Sequence, residues 1–339
     1  MSHLFSPYSI KGLELKNRVV MAPMCQYSVE AKDGIPNDWH FVHYVSRAIG
    51  GAGLILVEMT DVHPDGRISD FDLGLWSDEH IPAFERIVKE VHKYGAKIGV
   101  QIAHAGRKAE DAIQPVSSSN IPVDETWKEP RALTTDEVKE MIENYKKAAK
   151  RAVTAGFDTI ELHAAHGYLI HQFHSPAINN RTDEYGQDLS KFGVEIVKAV
   201  KSVMPKDMPL LLRISAIEYM DGGYELAHSL EIAQKYKEAG VDVFHISSGG
   251  EAPPGKLKPK YAPGYQVPFA LAYKEALNVP VIAVGVLDDP HLAEKTLVDG
   301  DAELIAIGRG MLKDPYWSLH AEATLTGKVE APVQYKRGF

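Results

Sequence analysis

Short apolar runs alternate with longer segments of helical periodicity along almost the whole chain. Residues 17–22, 54–59, 97–103, 157–162, 210–214, 243–246, 279–284 and 303–307 form the runs, each apolar enough for a strand buried on both faces. Helices are predicted over residues 38–48, 78–94, 135–154, 190–203, 225–239, 268–277 and 290–298, with a last one starting near Gly310. Local signals mark the boundaries. Ser77 or Asp78 caps one helix and Gly95 stops it, while Thr134-Thr135-Asp136-Glu137 has the form of a capping box. Glycine stands between helix and strand in Ala155-Gly156-Phe157-Asp158, Ala239-Gly240-Val241-Asp242 and Asp299-Gly300-Asp301-Ala302.

Strand–helix alternation implies a parallel sheet, and eight repeats favour closure into a single (β/α)8 TIM barrel behind an N-terminal cover segment. Two Rossmann-like halves would carry the same beat, but no proline-rich or charged linker divides the chain. A polar loop with Pro115, Pro122 and Pro130 sits inside the third repeat. At 339 residues and 45% hydrophobic content the chain can bury one large core.

Charge and cysteine content narrow the chemistry. A net charge of −9 with no basic block points away from nucleic acid. One cysteine, Cys25, excludes an intrachain disulfide framework and a cluster held by four thiolates. The segment Met1-Ser2-His3-Leu4-Phe5-Ser6-Pro7 lacks the form of a signal peptide, and no apolar run is long enough to span a bilayer. A cytoplasmic protein with no membrane partner is the expectation.

In a barrel the site is built where the strands end. Those ends carry Ala22-Pro23-Met24-Cys25 with Tyr27, Glu58-Met59-Thr60, Gln101 with His104 and Lys108, and His163-Ala164-Ala165-His166-Gly167-Tyr168. Arg213, Ser247-Ser248-Gly249-Gly250, Gly285 and Gly308-Arg309 follow on the later strands. Two imidazoles and a phenol leaving one strand together offer donors for a developing negative charge, and an acid of pKa about 10. The late glycines with Arg309 suggest a phosphate seat, although tight βα turns need glycine anyway. That phosphate could belong to a substrate or to a cofactor. The histidines, His171 and His174 included, could be metal ligands, but Gly308-Arg309 would repel a cation, so no metal is expected. A Schiff-base aldolase needs a lysine at a strand end, and Lys108 lies several residues past its strand.

The motifs Pro23-Met24-Cys25-x-Tyr27, Gln101-Ile102-Ala103-His104-Ala105-Gly106-Arg107, His163-Ala164-Ala165-His166-Gly167-Tyr168 and Ile307-Gly308-Arg309 resemble those of the Old Yellow Enzyme family. The likeness is to its bacterial NADPH dehydrogenase branch, the thermophilic-like ene-reductases, and runs from Asn17-Arg18 to Tyr335-Lys336-Arg337-Gly338. It implies one FMN-binding domain over residues 1–339. Ala22, Pro23, Met24, Cys25 and Met59 then flank the isoalloxazine, Gln101 binds its pyrimidine edge, and Arg213 lies near N1 and the C2 carbonyl. Gly285, Gly308 and Arg309, with the Ser248-Gly249 turn, hold the phosphate. NADPH gives hydride to the bound FMN, and an electron-poor alkene takes it in turn. His163 and His166 bind the substrate oxygen, Tyr168 gives the proton, and Tyr27 and Lys108 face the substrate, Lys108 read chiefly as a solvated loop charge. His171 and His174 are read as structural.

The resemblance further implies a homodimer or homotetramer in which the tail, residues 326–339, carries Arg337 into a neighbouring subunit's site. Three positions depart from the family pattern. Met59 replaces a small residue, His174 replaces leucine, and residues 187–192 lack a second glycine and an Asn-Arg pair, leaving the packing after the fourth strand open.

Overall fold

The structure, a computed structural model, describes residues 2–339; Met1, the first residue of the N-terminal segment read above, lies outside them. Eight parallel strands close on one another: β1 (Val19–Met21), β2 (Leu54–Asp61), β3 (Lys97–Ala103), β4 (Thr159–Ala164), β5 (Leu210–Ser215), β6 (Val243–Ser247), β7 (Val281–Val284) and β8 (Leu304–Ile307). Val20 pairs with Leu54 of β2 on one side and Ala306 of β8 on the other, which shuts the barrel. The main outer helices are α1 (Asp38–Ile49), α2 (Ile81–Lys93), α3 (Thr135–Thr154), α4 (Lys191–Lys201), α5 (Leu226–Ala239), α6 (Val267–Leu277), α7 (Pro290–Val298) and α8 (Trp317–Thr326). The (β/α)8 expectation holds.

Local chemistry explains the element ends. Thr134 accepts from the Glu137 N–H while Glu137 reaches back to the Thr134 N–H, the reciprocal cap expected for α3. Gly95, Gly156, Gly240 and Gly300 all have positive φ, the conformation that ends a helix at little steric cost. The cover segment holds an antiparallel hairpin, Tyr8–Ile10 with Leu13–Leu15, too short to be legible in sequence. Leu13 and Leu15 insert among Val20, Leu54, Leu211, Val243 and Ile282, so the hairpin plugs the amino end of the barrel.

Every strand is buried on both faces, yet the two faces differ. Outward positions such as Ile98, Val100, Ile160, Leu162, Leu212 and Ile214 pack under the helices. Inward positions begin apolar at the plugged end and turn polar toward the carboxyl ends. Gln101, Glu161, His163, Arg213 and His245 are all buried there. The strand period of two thus builds an oily floor and a polar roof in one barrel.

One departure from expectation is local, and one open point closes. Strand β2 runs on to Asp61 past a register shift between Val57 and Thr60, because Thr60 and Asp61 are fully buried although polar. The altered segment after β4 packs normally. Asp188 accepts from the N–H and hydroxyl of Ser190, and buried Phe192 lies 4.2 Å from Phe173, centroid to centroid. No helix among the described residues is long and apolar enough to cross a membrane.

Candidate active site

Strand register assembles the roof. Arg213 stands between His163 on β4 and His245 on β6, and Gln101 on β3 pairs with Glu161 on β4. Gln101 Nε2 donates to Glu161 Oε1 at 2.7 Å, and the other carboxylate oxygen meets His245 Nδ1 at 2.8 Å. This fixes the Gln101 amide. Arg213 is different: among the described residues its Nε has no hydrogen-bond partner, and burial draws the guanidinium below its ordinary pKa against the pull of Glu161. A buried cation without a partner is costly, so the site is built to receive an anion or a carbonyl here.

At the end of β4 the chain reverses sharply. His166 has a φ of 60° and Gly167 one of 76°; a Cβ on Gly167 would lie 2.5 Å from the Gly250 carbonyl oxygen. The reversal brings the His163, His166 and Tyr168 side chains together, with the His163 and Tyr168 rings edge to face at 4.7 Å. His163 Nδ1 accepts the Ala165 N–H at 3.2 Å, which leaves the proton on Nε2. That Nε2 lies 3.3 Å from His166 Nδ1, and His166 Nε2 lies 2.7 Å from Ser247 Oγ. Burial, reinforced by Arg213, pushes both imidazoles well below their usual pKa, so both are neutral near pH 7. Burial raises the Tyr168 phenol well above its ordinary value, aided by Cys25 and Tyr27, so it keeps its proton.

Other side chains close the walls. Met59, buried among Ile68, Ala103, Ala105, Ala109 and Ala112, has Cys25 and Tyr168 packed against the same cluster. Its side chain is therefore part of the apolar wall. Cys25 is partly buried, and its thiol is pushed up by burial and by Glu58, Asp72 and Asp61. Tyr27 is 49% exposed and has a φ of 51°, so its ring is not a wedge in the core. Behind them Glu58 Oε1 accepts the Gln26 N–H at 2.9 Å and its other oxygen accepts from Tyr44, tying the Cys25 loop to β2 and α1.

Lys108 corrects one expectation. Its ammonium is not free in solvent: the side chain is partly buried and donates to the carbonyls of His166, at 2.8 Å, and Gly250, and burial lowers its pKa to about 8. It staples the loops after β3, β4 and β6. His104 is buried and accepts the Gly106 N–H at 2.9 Å, its pKa lowered to about 3 by burial. His171 and His174 are fully buried. His171 lies 3.1 Å from Glu218 and 3.4 Å from Glu251, and His174 contacts the Tyr236 hydroxyl.

At the expected phosphate seat a Cβ on Gly308 would meet only Met24 Sδ, at 3.7 Å, which leaves room above it, and Arg309 is exposed beside it. A Cβ on Gly285 would lie 3.0 Å from Gln266 Nε2. The Gly249 N–H is already donated to Ile217 O at 2.7 Å, and the Ser248 hydroxyl to Gln266 Oε1 at 2.6 Å. Arg337 lies on the exposed tail, whose Tyr335 and Phe339 rings pack on Tyr316 and His320.

With this geometry in place, comparison with known proteins is decisive. The sequence profile of the NADH:flavin oxidoreductase / NADH oxidase family matches residues 3–327. The chain belongs to that family. It is an Old Yellow Enzyme by fold and by sequence. A curated NADPH dehydrogenase of Listeria innocua is 48% identical over 342 aligned residues, covering 100% of both chains. One of Bacillus subtilis (strain 168) is 47% identical over 339 residues, covering 99% of each. Morphinone reductase superposes with a TM-score of 0.82 at 27% identity, covering 98% of this chain and 91% of its own. A 2-naphthoyl-CoA reductase gives 0.89 at 26% identity, but this chain spans only 52% of it. This Old Yellow Enzyme is therefore a flavin-dependent, nicotinamide-linked oxidoreductase, and the family implies FMN. The residues fit that group: a buried Arg213 whose Nε has no partner among the described residues, an anchored Gln101 and an open Gly308 all stand toward the carboxyl ends of their strands.

Sequence reasoning missed Glu161, His245, Gln266 and Tyr44, and it placed Ser247 and Glu58 at strand ends without giving either a role. Alternation along β4 puts Glu161 on the same face as His163, and along β6 puts His245 with Ser247, so those signals were present. Nothing in the sequence announces the Tyr44–Glu58 pairing, which spans α1 and β2.

Proposed function

We propose that the chain reduces the C=C bond of α,β-unsaturated ketones, aldehydes, maleimides or nitroalkenes at the expense of NADPH. FMN, held tightly and without a covalent bond at the mouth that carries Gln101, Arg213 and Gly308, would supply the hydride-transfer chemistry that links the donor to Cβ of the alkene. The observation that carries the reading is the His163–His166–Tyr168 constellation beside the unpaired Arg213.

His163 Nε2–H is held as a donor by the Ala165 bond. Ser247 Oγ can give or take a proton, so when its O–H turns onto His166 Nε2, Nδ1 becomes the second donor. Neutral imidazoles suit this task, because they bind the oxygen more strongly as charge develops during transfer. Tyr168 then gives its proton to Cα, and one proton from solvent restores the phenol, so NADPH and one H⁺ are consumed per alkene. Arg213 would help to hold the flavin and, by its positive charge, would favour its reduced form. Tyr27 borders the substrate. Lys108 acts beside it by holding the His166 turn. The enzyme works as a cytoplasmic homodimer or homotetramer, with Arg337 completing a neighbour's site.

Isotope placement tests this directly. With deuterated NADPH in ordinary water, the product carries deuterium at Cβ. With ordinary NADPH in heavy water, it carries deuterium at Cα. Deuterium from the donor at Cα, or no saturated product, overturns the proposal.

A further inference from the structure

Between β6 and α6 the chain makes a long excursion, residues 248–266, that carries Lys256, Lys258 and Lys260 at alternate positions. All three are exposed, in a chain whose formal net charge is −9. Among the described residues no carboxylate lies within 4.0 Å of any of the three ammoniums. The excursion is pinned rather than loose. The Gly255 N–H donates to Tyr219 O at 2.9 Å, the Lys256 N–H to Asp221 Oδ1 at 3.2 Å, and the segment holds Pro253, Pro254, Pro259 and Pro263.

Lys258 and Lys260 stand on the rim of a groove whose wall is Tyr219, Leu257, Tyr265 and Phe269. Leu257 is 53% exposed there, and the Tyr261 ring packs edge-on against Tyr265 at 5.5 Å. The groove adjoins the expected phosphate seat, because a Cβ on Gly285 would lie 3.1 Å from Tyr265 Cε1 and one on Gly249 would lie 3.1 Å from Tyr219 Cδ2. Free cations beside an aromatic wall suit one kind of ligand: an adenosine whose ribose carries a phosphomonoester. The ring gains by stacking, and a phosphate of about −1.5 to −2 charge gains by ammonium contacts.

We propose that this groove seats the 2′-phosphoadenosine end of NADPH, with Lys258 and Lys260 on the phosphate and Lys256 adding charge nearby. This rests on the proposed role of NADPH as donor and adds the residues that would tell it from NADH. NADH offers a hydroxyl at the same place, so the lysines discriminate between the donors by charge. Coenzyme A also ends in a phosphorylated adenosine, but with its phosphate at the 3′ position.

Binding of 2′,5′-ADP, 3′,5′-ADP and 5′-ADP to the FMN-loaded enzyme, measured by calorimetry, separates these cases. The fragments lack nicotinamide, so the result stands whether or not the chain reduces alkenes. The proposal predicts that 2′,5′-ADP binds about tenfold more tightly than the other two, a preference that added salt erodes. Lys258→Ala with Lys260→Ala should remove that preference and raise the NADPH KM about tenfold, with the NADH KM moving less than about twofold. Lys258→Arg with Lys260→Arg should retain the preference and shows that charge rather than folding is read. Equal binding of 2′,5′-ADP and 5′-ADP overturns the site, and a preference for 3′,5′-ADP overturns its assignment to the hydride donor.

Discussion

Ser247 Oγ lies 2.7 Å from His166 Nε2, on the side of the imidazole away from His163. When the hydroxyl donates to Nε2, the His166 proton sits on Nδ1; when it turns to Gln266 Oε1, 3.4 Å away, Nε2 carries the proton instead. Without it, His166 loses the partner that frees Nδ1 to donate. Ser247→Ala should slow alkene reduction about tenfold while leaving FMN content intact, and His166→Ala should slow it about 100-fold, the usual cost of an oxyanion donor. Stopped-flow reoxidation by an enone checks both. Equal losses in the two variants would mean that Ser247 is needed for more than the His166 tautomer.

Tyr168, as the proposed proton donor, should set the alkaline limit. Burial raises its pKa above the ordinary phenol value, so the acid form persists beyond about pH 10. The rate of alkene reduction should show no loss assignable to this group up to about pH 9, and Tyr168→Phe should lower it by about 10²–10⁴. A wild-type rate that falls with a midpoint near pH 8, together with an unaffected Tyr168→Phe variant, would remove the phenol from its role.

Glu58 ties stability to pH. Burial raises its pKa to about 8, despite the bonds from Tyr44 and Gln26 that oppose the shift. Below the unfolded-state value both states hold the proton, and the contribution to stability is fully present. As pH climbs from there to about 8 the unfolded chain sheds its proton first, so the contribution is progressively lost. Glu58→Gln cannot titrate, so its melting temperature relative to wild type should rise steadily between about pH 5 and pH 8. A difference that stays constant across that range would contradict burial of a protonated carboxyl.

Glu161 should matter for the cofactor although it makes no predicted contact with it. It anchors the Gln101 amide and takes a bond from His245. Glu161→Ala frees both and should weaken FMN binding by about 1–3 kcal/mol, roughly 5- to 100-fold. Titration of apoenzyme with FMN reads this, and unchanged affinity would show that Gln101 needs no anchor.

Among the described residues the Arg213 Nε, near the carboxyl end of β5, has no hydrogen-bond partner. Arg213→Met should move the flavin potential negative, by about 30 mV for each 1.4 kcal/mol of lost stabilisation of the reduced form. Potentiometry of the purified variant is the check. A potential equal to that of wild type would place the cation's influence elsewhere.

The barrel was legible because buried parallel strands are continuous in apolar residues and their helices end at glycine. Legibility failed where polar groups are buried for the sake of the site. Thr60 and Asp61 hid the end of β2, and His163 hid the end of β4, where the strand continues to Ala164. The His163–Tyr168 cluster could be read because its members are close in sequence. Networks such as Gln101–Glu161–His245 could not, because only the strand register joins them. Lys108 was misread for a related reason: a lysine in a loop has no sequence mark for the carbonyls it will meet in three dimensions.

The visible spectrum of the purified enzyme tests the central claim most directly, followed without oxygen as NADPH and then cyclohexenone are added. A flavin spectrum that bleaches with NADPH and returns with the enone is the predicted result. A colourless protein that stays colourless with added FMN, or a flavin that NADPH bleaches and the enone leaves bleached, would contradict the account.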